Sequence, residues 1–174
     1  LRQQAMLFVG ARVASYQRLP LVAPLPRLGT KLTLSHERLA DVPVEVITPA
    51  GWAPSDVTVL YLHGGGYVLC QPSSHRQLIG RIAVAGGVRC VVPAYRLAPR
   101  FPFPAAIDDA VSVYTALVAA DESQPIMLAG DSAGGGLTLA LLLRLRDVGA
   151  AMPRAAVLLS PWVDLAVRGA SIDD

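Results

Sequence analysis

Leu128 to Gly136 reads LAGDSAGGG and surrounds one serine, Ser132, with residues that carry almost no side chain. Ahead of it stands a short apolar run, PIMLA (125–129); behind it the apolar stretch LTLALLLRL (137–145) begins at once. A short apolar run bounded by turn residues reads as a strand, and the longer one as a helix. Gly130-Asp131-Ser132-Ala133-Gly134 is therefore a G-x-S-x-G pattern at a strand–turn–helix junction. So sharp a turn strains the backbone of its central residue. Only small residues two before and two after it avoid the flanking strand and helix. The hydroxyl is then held out at the carboxyl end of a sheet, where open α/β sheets bind ligands, and the next helix directs its positive end at the same spot. A phosphate-cradling loop fits less well, because GDSAGGG lacks both the Walker lysine and the G-x-G-x-x-G spacing. A purely structural turn is the other alternative, since 15 glycines let this pattern arise by chance.

Working outward, the chain alternates. VTVLYLH (57–63) is a continuous apolar, β-branched run, as expected of a strand covered on both faces. It is followed by a glycine loop and a helix over about 75–85, then a strand VRCVVPAY (88–95) and a loop RLAPRFPFP (96–104). A helix over 105–120, the strand PIMLA, a helix over 133–148 and a last strand AAVLLS (155–160) complete the series. Such alternation implies right-handed crossovers and a parallel sheet with helices on both faces, so the fold class is α/β. Upstream, strands over 31–39 and 42–48 flank a turn at Ala40–Asp41, and 49–56 has turn composition. An amphipathic helix up to Leu19, ended by Pro20, and an extended linker over 21–29 precede them.

A second motif raises the weight of the first. His63-Gly64-Gly65-Gly66 follows directly on the strand VTVLYL, at its carboxyl end. When an ester carbonyl is attacked its oxygen becomes an anion that needs fixed donors. Consecutive glycines let main-chain N–H groups approach it, each worth roughly 3 to 4 kcal/mol in the transition state. A flexible hinge would not explain why the glycines stand there.

HGGG, then YRLAP, then GDSAGG, in this order, resemble the hormone-sensitive-lipase-like branch of the α/β-hydrolases, the bacterial family IV esterases. The matching residues are His63–Gly66, Tyr95–Pro99, Phe103-Pro104-Ala105-Ala106 with Asp109, Gly130–Gly135, and Ser160-Pro161-Trp162 with Asp164-Leu165. The resemblance implies an α/β-hydrolase fold with residues 1–29 as a helical cap segment and linker and 30–174 as a partial hydrolase domain. It implies Ser132 as the acylated nucleophile and an oxyanion hole from the N–H groups of Gly65, Gly66 and Ala133. His63 and Gly64 would support the glycine loop, and Gly130, Asp131 and Gly134 would shape the nucleophile turn. Tyr95–Pro99 and Asp109 look structural. Short- to medium-chain acyl esters are the implied substrates, with no cofactor. One departure is Arg100, where the family usually carries a glutamate after YRLAP.

A larger departure concerns the catalytic base. The family order is serine, acid, histidine, yet His36, His63 and His75 all precede Ser132, and Asp164 matches the SPWxDL segment rather than the triad acid. The expectation is a chain whose last strands, triad acid and histidine are missing, supplied by further sequence or by another chain. Alone it would be almost inactive, since losing the base costs a triad enzyme about a millionfold. A non-catalytic small-molecule receptor on the same scaffold is the competing function.

Composition excludes other classes. At 53% hydrophobic residues and a net charge of +2 without any Lys/Arg run, the chain is neither disordered nor built for nucleic acid. No stretch approaches the roughly 20 apolar residues of a membrane span. Cys70 and Cys90 are too few for a disulfide framework and read as small buried thiols in a reducing, cytoplasmic setting. No His/Cys/Asp cluster has metal-ligand spacing, so no metal is expected. A homo-oligomer is left open.

Overall fold

The computed structural model describes residues 23–27 and 31–166. The helix expected up to Leu19 lies outside the described residues. Among the described residues six strands form one sheet in the order β1-β2-β4-β3-β5-β6. They are β1 (Leu32–Leu39), β2 (Val42–Pro49), β3 (Thr58–Leu62), β4 (Arg89–Pro93), β5 (Ile126–Asp131) and β6 (Ala155–Leu159). β3 to β6 run parallel, while β1 and β2 pair antiparallel to each other and β2 antiparallel to β4. The β1–β2 hairpin turns on Ala40 and Asp41, both at positive φ (47° and 64°), the geometry of a two-residue loop that matches strand twist.

Every residue of β3 is buried, as its unbroken TVLYL run requires of a central strand. Among the described residues three helices cover the sheet: α1 (Arg76–Gly86), α2 (Ala105–Ala120) and α3 (Ala133–Asp147). Val113, Tyr114 and Leu117 of α2 and Leu137, Leu141 and Leu145 of α3 share one core with Leu60, Leu62 and Leu128. Ile79 and Ala83 of α1 form a second core with Val59, Tyr61 and Ala129 on the opposite face. Adjacent β3 and β5 therefore send their chains to opposite faces of the sheet. That divergence opens a crevice at their carboxyl ends, the place where such sheets bind ligands. His63–Gly66 and Ser132 both stand there.

Most element ends fall within one or two residues of the sequence reading, and two of the shifts have a visible cause. The helix expected from residue 75 starts at Arg76, because a 3-10 turn, Pro72–His75, precedes it with Gln71 and Ser74 capping each other. The strand expected to reach Tyr95 stops at Pro93. Beyond it the Arg96 N–H turns to the Asp109 carboxylate at 2.8 Å, and the Tyr95 hydroxyl to the His63 carbonyl at 2.6 Å, so the chain leaves the ladder.

Candidate active site

Ser132 joins β5 to α3 at φ 51° and ψ −120°, a strained conformation for a residue with a side chain, and its surface is exposed. Hydrogen bonds hold the strain in place. The Ser132 N–H donates to Leu159 O at 2.9 Å, and the Ser132 carbonyl accepts from Trp162 N at 2.8 Å and Gly136 N at 3.1 Å. The strand β6 and the Ser160-Pro161-Trp162 segment thus brace the turn from outside. Small neighbours are needed for a steric reason. A Cβ on Gly130 would run into the Gly134 carbonyl, and one on Gly134 into the carbonyl oxygens of Leu62 and His63. Ala133, the first residue of α3, is fully buried.

The contact at Gly134 presses the serine turn directly against the glycine loop. Two consecutive peptide planes of that loop are gripped at defined atoms. In the His63–Gly64 peptide, the carbonyl accepts from the Tyr95 hydroxyl (2.6 Å) and the N–H donates to Asp131 Oδ1 (3.0 Å). In the Gly64–Gly65 peptide, the carbonyl accepts from His63 Nδ1 at 2.7 Å. Carbonyl and N–H are antiparallel across a planar trans peptide, so anchoring the Gly64 oxygen also aims the Gly65 N–H. Neither the Gly65 nor the Gly66 N–H donates to another described residue. Gly64 must be glycine because a Cβ there would overlap the Asp131 carboxylate. Gly65, at φ 123°, occupies a backbone region closed to other residues.

Asp131 is the hub between the motifs. Its Oδ1 accepts from Tyr61 Oη at 2.9 Å and from Gly64 N, while its Oδ2 lies 3.4 Å from His75 Nε2. Burial works to raise this carboxyl, but the bonds from His75, Tyr61 and Gly64 outweigh it and hold it below its ordinary value. Burial, reinforced by that carboxylate, pushes the Tyr61 hydroxyl well up, so it stays a donor. His63 is wholly buried, stacked on Tyr95 with ring centroids 4.3 Å apart. Burial is the main cause that lowers it to about 4, against the opposing bond to Gly64 O. The ring is neutral near pH 7. A carbonyl can only accept, so its proton sits on Nδ1. Nε2 is left bare, with no partner among the described residues.

The structure brings Ser132, Ala133, Gly130, Asp131 and Gly134 together with His63, Gly64, Gly65 and Gly66, across about seventy residues of chain. Tyr95, taken above as structural, directs its hydroxyl into the network. Two further groups join it for which the sequence reading gave no role: Tyr61, through its hydroxyl, and His75, which lies on Asp131. The one available signal was chemical: a tyrosine in an all-buried strand needs a partner for its hydroxyl. His36 is remote, on β1, with Nε2 3.5 Å from Glu45. Asp109 binds Arg96 through its guanidinium and N–H. Arg100 stacks its guanidinium 5.1 Å from the Phe101 ring centre. Both cysteines are free. Cys90 is buried and pushed up to about 12 by that burial, whereas Cys70, expected to be buried, is partly exposed at φ 69°. Among the described residues no cluster of three or more metal-ligating side chains is present, and no helix is long and apolar enough to cross a membrane.

Comparison with known proteins fits this arrangement. The α/β-hydrolase fold family matches residues 59–174. An acetyl-hydrolase from Streptomyces hygroscopicus is 50% identical over 117 residues, covering 66% of this chain and 38% of the relative. An ethyl acetate hydrolase from Pseudomonas putida is 36% identical over 157 residues, covering 84% of this chain and 49% of the relative. The crystal structure of an esterase from the bacterial hormone-sensitive lipase family superposes with a TM-score of 0.79 at 40% identity, over 93% of this chain and 51% of that one. The chain thus spans about half, or less, of the length of these three proteins. On fold, on motif order and on these likenesses, the chain belongs to the α/β-hydrolase fold family, in its hormone-sensitive-lipase-like branch.

Proposed function

We propose that this chain carries the nucleophile and oxyanion half of a carboxylic-ester hydrolase. The observation behind the reading is the strained, exposed Ser132 packed against a glycine loop whose Gly65 and Gly66 N–H groups are unengaged among the described residues. Ser132 Oγ attacks the ester carbonyl carbon as its proton passes to a general base. The carbonyl oxygen becomes an anion that accepts hydrogen bonds donated by the N–H groups of Gly65, Gly66 and Ala133. Collapse of the tetrahedral intermediate breaks the bond to the alcohol oxygen, which takes the proton from the base. Water then hydrolyses the acyl-serine by the same steps.

The base is none of His36, His63 and His75. His36 is on the sheet's outer strand, His63 is sealed with Nδ1 committed to Gly64 O, and His75 Nε2 faces Asp131. We assign the base and its acid partner to chain outside these 174 residues. His63 and Gly64 support the glycine loop through the bonds described above. The names of the two relatives, acetyl-hydrolase and ethyl acetate hydrolase, favour short acyl groups within the short- to medium-chain range. No cofactor enters this chemistry. Two unpaired thiols support a reducing, cytoplasmic setting.

The test is a fluorophosphonate probe and p-nitrophenyl acetate applied to the full-length protein and its Ser132→Ala variant. Labelling at Ser132, with turnover falling by about a millionfold in the variant, is the expected result. Unchanged turnover without labelling would overturn the reading and favour a receptor on this scaffold.

A further inference from the structure

We propose that His75 is a positioning residue for this site: acting through Asp131 and His63, it sets the direction of the glycine-loop amides. The inference rests on the esterase reading for its consequence in catalysis, but its geometric content is independent of it.

Asp131 holds the Gly64 N–H with the same oxygen that Tyr61 binds, Oδ1. Bonds at one oxygen leave a carboxylate free to swing about its terminal torsion, which is broad. A second hold on the other oxygen locks the plane. His75 is the group within reach, with Nε2 3.4 Å from Oδ2 and a side chain only 15% exposed. Its own ring is oriented from behind. Nδ1 lies 2.8 Å from Ser74 Oγ, and that hydroxyl lies 2.6 Å from Gln71 O, inside the 3-10 turn that precedes α1. The same imidazole also flanks the His63 ring, with centroids 5.5 Å apart. His75 therefore touches both groups that hold Gly64, the carboxylate on its N–H and the imidazole on its carbonyl. Displacing it loosens two successive peptide planes at once, and the second carries the Gly65 N–H. His75 is no candidate for the base, since its outward nitrogen is spent on Asp131.

Steady-state hydrolysis of p-nitrophenyl acetate and amide exchange at residues 64–66 are to be measured in the full-length protein for wild type, His75→Ala and His75→Gln. His75→Ala is expected to lower kcat about tenfold, with KM changed less than about twofold, because misaimed donors penalise the transition state more than binding. Exchange at 64–66 should quicken in the same variant. In His75→Gln, whose side-chain amide can donate to Oδ2, both should return most of the way. Should His75→Ala fail to fold, Ser74→Ala, which frees the ring without deleting it, is expected to show the same kcat-only loss at smaller size. Wild-type kcat and exchange in a folded His75→Ala would overturn the proposal, as would His75→Gln as impaired as His75→Ala at equal melting temperature. If wild type and Ser132→Ala turn over alike, the esterase reading falls, and the exchange measurement still decides the role of His75.

Discussion

At the scale of single residues, His63 shows how burial and one hydrogen bond decide a protonation state. Its ring lies inside the protein with Nδ1 on Gly64 O and Nε2 unpartnered among the described residues, so a second proton would be a buried charge without a counterpart. Burial accordingly lowers it from the ordinary 6.5 to about 4. The folded protein binds fewer protons here than the unfolded chain, so stability must rise with pH across this window. The contribution is fully present above about 6.5 and is lost as pH falls towards 4, by about 3 kcal/mol in all. Urea unfolding at pH 7 and at pH 4 should show this loss in the wild type. It should be largely absent from His63→Asn, which keeps a donor near Nδ1 but cannot take a proton. An equal acid loss in both proteins would show that other groups carry it.

At the scale of elements, α1 matters because its leading turn presents His75 to the site, and α1 is tied to the sheet by one buried ion pair. Arg76 Nε donates to Glu45 Oε2 at 2.8 Å and its terminal nitrogen to Oε1 at 2.6 Å, a two-pronged pair joining α1 to β2. The side chains are only 13% and 11% exposed, so removing one partner strands the other charge in a poorly solvated position. Glu45→Ala should therefore destabilise the fold by about 3 kcal/mol, and the double variant Glu45→Ala/Arg76→Ala by clearly less than the sum of the singles. Additive losses in a denaturant double-mutant cycle would refute the coupling. Elements of this kind were legible one at a time. The alternation of apolar runs marked β3 to β6 and the three helices in order, and G-x-S-x-G marked the strand–helix turn at Ser132. Partnerships across the chain were not legible, because periodicity reports which face is buried and not what it meets. Nothing near His75 in sequence signals Asp131, 56 residues on, and nothing near Glu45 signals Arg76. The placement of β2 beside β4 is of the same kind.

At the scale of the whole molecule, the sheet ends differently at its two edges. β1 carries Ser35, His36, Glu37 and Arg38 in exposed positions, the kind of charged edge that discourages pairing with other chains. β6 carries no charge, and its residues alternate between partly buried and exposed. Ala156 packs towards the core shared with α3, whereas Val157 and Leu159, on the other face, are 46% and 39% exposed. Among the described residues no strand pairs with the outer side of β6, and no helix covers the face that bears Val157 and Leu159. Trp162, Val163 and Leu165 extend this apolar exposure just beyond the strand. An unpaired apolar strand edge is a template for further β-pairing. A polypeptide of these 174 residues is therefore expected to self-associate with rising concentration through β6. Val157→Lys combined with Leu159→Lys puts two charges on that face without touching the Leu159 carbonyl that accepts the Ser132 N–H. In sedimentation velocity the double variant should remain monomeric at concentrations where the parent sediments as larger species. If both sediment alike at every concentration, the contact lies elsewhere, and β6 is not the surface that seeks a partner.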